Sequence, residues 1–113
     1  MMMKVKEVIE KLDLEVITAS DLKREVKGGY TGDLLSNVMA QAEANDLWIT
    51  IQGHQNVVAV ALLVDMAAII IAEDFEIEDK AINRAREKDV NILRSPLSAF
   101  ELSGRLFEMG VTS

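Results

Sequence analysis

The stretch WITIQGHQNVVAVALLVDMAAIII, residues 48–71, holds most of the chain's apolar density and its only histidine. It reads as strand, glycine turn, buried helix and strand. The first part, Leu47-Trp48-Ile49-Thr50-Ile51, is rich in the β-branched and aromatic side chains that suit a pleated, packed surface. Gln52 and Gly53 turn the chain, and His54, Gln55 and Asn56 lead into an apolar segment over 57–64. Periodicity does not separate helix from strand in a short run that is apolar on every side. Spacing does, because a parallel crossover needs roughly 10–12 residues and the span available here just supplies them. A helix is therefore predicted, followed by a central strand at 67–71, apolar on both faces as in buried parallel sheets.

Working outward, Val5, Val8, Ile9 and Leu12 repeat at helical spacing and predict an amino-terminal helix with its charges on the other side. Residues 14–18 (LEVIT) predict a first strand, and Ser20 or Asp21 a cap for a short turn. Gly28-Gly29-Tyr30-Thr31-Gly32-Asp33 carries three glycines in five positions and reads either as a tight turn or as a loop whose amides cradle an anion. Neither the phosphate-loop nor the dinucleotide fingerprint is present. Asp33 is predicted to cap a helix over 33–44 through Leu34, Leu35, Val38, Met39 and Ala42. Beyond the central strand, Glu73, Asp74, Glu76, Glu78 and Asp79 lack calcium-loop spacing; Glu78 and Asp79 suit the start of a helix over 78–88 and the others read as solvated. A strand over 90–93, an Arg94-Ser95-Pro96 loop and a helix over 97–109 ended by Gly110 complete the chain.

This alternation predicts a single compact α/β domain over 1–113, with a mainly parallel sheet flanked by helices and right-handed crossovers. Residues 1–25 supply the first helix and strand, and 26–110 the core. A net charge of −7 excludes a phosphate-binding basic surface, so no nucleic-acid partner is expected. No run is long enough to span a bilayer and no leader pattern opens the chain, so no membrane partner and a cytoplasmic location are expected. Without cysteine, thiolate metal sites and cysteine nucleophiles are excluded, and no metal is predicted.

In parallel sheets ligands gather beyond the carboxyl ends of the strands. The predicted binding residues are Gly28, Gly29, Tyr30, Thr31, Asp33, Gln52, His54, Gln55, Asn56, Ser95 and Ser98. His54 has the ionisation range of a general base, and Ser36, Ser95 and Ser98 carry hydroxyls, but no spacing pairs them. No catalysis is expected, and the lone histidine is read as a hydrogen-bonding or helix-capping group. Six methionines, the apolar excess and Trp48, placed equally well in a core or an interface, predict a homodimer.

The GYTGDLLS segment and the WIT-x-x-x-H-x-N-x-VAVA pattern, with SPLSAFEL downstream, resemble the stand-alone DRTGG-domain proteins, over about residues 26–110. These are similar in fold to the amino-terminal domain of HPr kinase/phosphorylase and to the DRTGG domain of phosphotransacetylases. The resemblance implies a regulatory or ligand-sensing module for a small anionic or nucleotide-like ligand, and a signalling or iron–sulfur protein as partner; it names no cofactor. The alternative is an interaction module with no small ligand. The family's Asp-Arg appears here as Asp33-Leu34, and its Thr-Gly-Gly as Ala72-Glu73-Asp74, which puts any anion site at that second loop in question.

Overall fold

The computed structural model describes residues 2–112. Along the chain run β1 (Met3–Lys4), α1 (Val5–Leu12), β2 (Glu15–Thr18), β3 (Glu25–Val26), β4 (Gly28–Thr31), α2 (Leu35–Gln41), β5 (Asp46–Thr50), α3 (Gln55–Val64), β6 (Ala68–Ile71), α4 (Asp79–Lys88), β7 (Ile92–Arg94) and α5 (Ala99–Glu108). A five-stranded sheet has the order β2-β7-β6-β5-β4. Its β4, β5, β6 and β7 are parallel, and β2 joins β7 antiparallel with an irregularity between Val16 and Thr18. β1 and β3 pair as a separate two-residue ribbon.

Period-two alternation along the central strands sorts the core into two layers. Leu47, Ile49, Ala68, Ile70 and Leu93 face Val5, Val8 and Leu12 of α1 and Leu102 and Leu106 of α5. Trp48, Ile69, Ile71 and Ile92 face Val38 of α2, Val57 and Ala61 of α3, and Ala81 and Ala85 of α4. All five residues of β5 and all four of β6 are buried, as expected for strands covered on both sides. Trp48 is wholly buried and donates Nε1–H to Gly32 O at 2.9 Å, which places it in the core and not at an interface.

Two predicted elements differ. Gly28–Thr31 is an edge strand and not a turn or loop, paired in register with Asp46, Leu47, Trp48 and Ile49 of β5. The helix predicted from Asp33 starts later, at Leu35, because the Asp33 carboxylate is taken by the end of β5. Elsewhere the shifts are a residue or two, and three helices close through an aspartate, Asp13, Asp65 or Asp89, in the left-handed conformation.

Asn91 fastens the amino-terminal segment to the sheet. It is 4% exposed; its Nδ2 donates to Asp21 O (3.1 Å) and Ala67 O (3.0 Å), and its Oδ1 accepts from Ser20 N (2.7 Å). Asn91→Ala strands an amide and two carbonyls, so it is expected to cost ~1–3 kcal/mol in urea unfolding. An unchanged midpoint would show that water takes over these bonds.

Candidate functional site

The loops that leave β4, β5 and β6 all lead into helices on one face of the sheet, and between them lies an open cleft of about 790 Å³. Asp33, Leu34, Leu35 and Ser36 line it from the first loop, Gln52, Gly53, His54 and Asn56 from the second, and Glu76 and Glu78 from the third. The parallel strands stand in sequential order, so no reversal of strand order creates the crevice. The close approach of the second and third loops does.

That approach depends on Gly53. A Cβ there would overlap the Glu76 carbonyl oxygen and lie 2.7 Å from Ile77 Cα, so only glycine lets the two backbones meet. The contact is sealed by Glu78 N–H donating to Gly53 O at 2.9 Å. On the other side Asp33 Oδ1 accepts from Thr50 Oγ1 (2.7 Å) and Ile51 N (3.0 Å), which ties the end of β4 to the end of β5.

His54 is the N-cap of α3. Its Nδ1 accepts from Asn56 N at 3.0 Å, the helix-capping role read from its isolation at a turn. In the neutral ring this leaves the proton on Nε2, which faces Glu78 Oε1 at 3.9 Å. With Nδ1 engaged and no serine hydroxyl bonded to the ring, the cleft contains no nucleophile–base pair among its bonded groups.

Of the predicted binding residues, the cleft unites Asp33, Gln52, His54 and Asn56. Gln55 is the first residue of α3 and falls outside the lining. Gly28 and Gly29 belong to the amino half of β4. The Tyr30 hydroxyl accepts from Asn37 Nδ2 (2.6 Å), and Thr31 Oγ1 is 2.9 Å from Ser103 Oγ. Ser95 is buried and accepts from Leu97 N, and Ser98 caps α5 by accepting from Glu101 N. Leu34, Leu35, Glu76 and Glu78 join the lining only through the tertiary contact at Gly53 and the delayed start of α2. The carboxylates of Glu76 and Glu78 thus border a cleft, where the sequence suggested a solvated run and a helix start.

Charge in the lining is acidic, with Asp33, Glu76 and Glu78 and neither lysine nor arginine. At the amino end of the sheet, hydrogen bonding to Glu43 raises Lys27 and lowers Glu43 in turn, while burial raises Asp46. At the β2–β7 edge the hydrogen bond to Glu15, at 2.9 Å, raises Arg94.

The loop after β6 occupies the place of the Thr-Gly-Gly turn. Glu73 (φ 58°) and Asp74 (φ 52°) both adopt the left-handed backbone that glycine takes freely. Their amides do not form an open anion nest: Glu73 N donates to Leu97 O, Asp74 N to Ser95 O and Phe75 N to Ala72 O.

A scan against family models matches the DRTGG domain over residues 7–109. The chain belongs to the DRTGG domain family. Among curated proteins none matches. Among solved structures the fold is similar to the CBS and DRTGG domains of the regulatory region of a Clostridium perfringens pyrophosphatase, complexed with its activator diadenosine tetraphosphate. The TM-score is 0.76 at 12% identity, over 96% of this chain and 47% of that one. The chain therefore spans about half the length of that relative. A DRTGG domain is a regulatory module and not a catalytic one, in accord with the expectation that this chain is not an enzyme.

Two substitutions test the loop geometry. Gly53→Ala forces the Glu76–Ile77 backbone outward and is expected to cost ~1–3 kcal/mol in chemical denaturation, as overpacking does; equal stability would mean that the loops separate freely. Glu73→Gly relieves a left-handed non-glycine residue, and after the extra chain entropy a net gain of about 0.5 kcal/mol is expected. A lower melting temperature would instead give the Glu73 side chain a stabilising role.

Proposed function

We propose that this DRTGG domain is a non-catalytic, ligand-sensing module that takes a small nucleotide-like ligand in the cleft at the carboxyl edge of the sheet. The observation that carries the reading is the cleft itself. Its volume falls within the range of small-molecule sites, and it combines apolar surface from Leu34 and Leu35 with hydrogen-bonding groups on Ser36, Gln52, His54 and Asn56. The two leucines offer a surface for a base, and the amide side chains offer donors and acceptors to its edge or to a ribose. The nucleotide activator of the Clostridium perfringens regulatory region supports the same ligand class.

The lining sets a condition on charge. Leu34 stands where the family pattern carries arginine, and three carboxylates face the cleft with no lysine or arginine opposite them. A bare polyphosphate meets like charge there. A nucleoside does not, and magnesium bound to a nucleotide lowers the charge that it brings. The reading thus keeps the nucleotide-like ligand and gives up a requirement for free anionic phosphate. We take the module to act as a homodimer that passes ligand occupancy to a protein partner, for which the family resemblance suggests a signalling or iron–sulfur protein.

Titration calorimetry with adenosine, ATP and diadenosine tetraphosphate, each with and without magnesium, tests the reading. Binding is expected for adenosine and for the magnesium complexes, with at least tenfold weakening in Asn56→Ala and Leu34→Glu. Thermal melting gives a parallel readout, since ligand at a hundredfold excess over Kd adds about 2.7 kcal/mol to stability. If none of these compounds binds the wild type, the interaction module without a small ligand is the better account.

A further inference from the structure

The chain has three phenylalanines and none of them is buried. Phe75 is 44% exposed, Phe107 62% and Phe100 90%, although phenylalanine is among the residue types most often found inside. Phe100 and Phe107 share α5 and stand two turns apart. At ~100° per residue, Phe100, Gly104 and Phe107 fall within an arc of about 60°. The opposite side of the helix, Leu102 and Leu106, is buried against the sheet.

The outer face is symmetric about its own midpoint. In FELSGRLF, residues 100–107, reversal about the point between Ser103 and Gly104 exchanges phenylalanine with phenylalanine and one small residue with another. A Cβ on Gly104 would meet nothing within 4 Å, so the centre of the face is a gap between two aromatic knobs. Such a face is complementary to itself under a two-fold axis perpendicular to the helix.

We propose that α5 is the homodimer interface, with a second copy of this chain laying its α5 antiparallel across the first at Ser103 and Gly104. The proposal rests on the homodimer reading above and is independent of the ligand. Small residues at the crossing let the helices approach, and the rings of Phe100 and Phe107 pack over each other at either end. Charge selects the orientation. Glu101 borders the face on one side, ~90° from its centre, and Arg105 stands behind it at ~130°, within reach through its long side chain; the two are bonded within the helix at 2.7 Å and each is about half exposed. An antiparallel pair brings this flank of one copy against the same flank of the other, so Glu101 faces the partner's Arg105 at both ends of the contact. With a net charge of −7 two copies repel at long range, which makes this local match the term that fixes the docking.

Sedimentation velocity on the full chain, across a hundredfold dilution from high micromolar concentration, is the test. Wild type is expected to sediment as a dimer that dissociates on dilution. The double variant Phe100→Asp/Phe107→Asp, which changes only exposed positions, is expected to be monomeric with an unchanged circular dichroism spectrum. Gly104→Gln improves helix propensity, yet fills the crossing, so it should melt higher as a monomer while raising the dimer dissociation constant at least tenfold. Arg105→Glu should weaken association, and the exchange Glu101→Arg/Arg105→Glu should restore it. A monomeric wild type overturns both the homodimer and this interface. A dimer insensitive to the phenylalanine and glycine variants overturns the interface alone.

Discussion

The structure depends on burying both faces of β5 and β6 at once. Ile69 and Ile71 point to one layer and Ala68 and Ile70 to the other, and every residue of both strands is buried. A sheet with two apolar faces is stable in water only when helices cover both. Here α2, α3 and α4 cover one side, and α1 and α5 the other. Ala68, the one small residue of β6, leaves room for α1 and α5, while Ile69 and Ile71 fill the space beneath α3 and α4. Everything at the carboxyl edge follows from this arrangement, because three successive loops must emerge there and turn to the same layer.

Much of that architecture is legible in residues 48–71. A strand too apolar to face water, a crossover just long enough to be helical, and a second strand apolar on both sides admit few folds other than a parallel sheet between helices. The errors fall where local chemistry favours one conformation and a tertiary partner enforces another. Gly28 and Gly29 suggest a turn, but strand pairing with Asp46 and Leu47 supplies the energy that holds them extended at an edge, where glycine costs least. Asp33 is a good cap by type, but Thr50 and Ile51 offer its carboxylate two donors first. His54 reads correctly because its partner, Asn56, is two residues away in sequence.

The cleft was partly legible for the same reason. Gln52, His54 and Asn56 announce themselves as the polar interruption in an apolar unit. Glu76 and Glu78 do not, since what brings them to the site is a backbone contact between residues more than twenty positions apart. A glycine followed by a polar run carries no mark of which loop it will touch. The altered family motif is informative only once its surroundings are visible. Glu73 and Asp74 keep a backbone suited to glycine, and with the amides of the loop bonded to Leu97, Ser95 and Ala72, its anion-binding capacity is spent on holding the structure. The substitution of Leu34 for arginine removes a second source of positive charge. Both departures take anion-binding character away from the carboxyl edge of the sheet.

One loop touches both the cleft and the approach to α5. The segment from Ala72 to Glu78 carries Glu76 and Glu78 into the lining and, at its start, donates the Glu73 and Asp74 amides to Leu97 O and Ser95 O just before α5 begins. Spatial continuity alone is no proof of coupling. It does restrict the form that coupling takes. A ligand that draws Glu76 and Glu78 inward pulls on a segment pinned at Gly53 on one side and at Leu97 on the other, so the displacement open to it is a shift of the entrance to α5 and not a free swing of the loop. Were ligand and self-association linked in this way, each would change the other's affinity by the same factor.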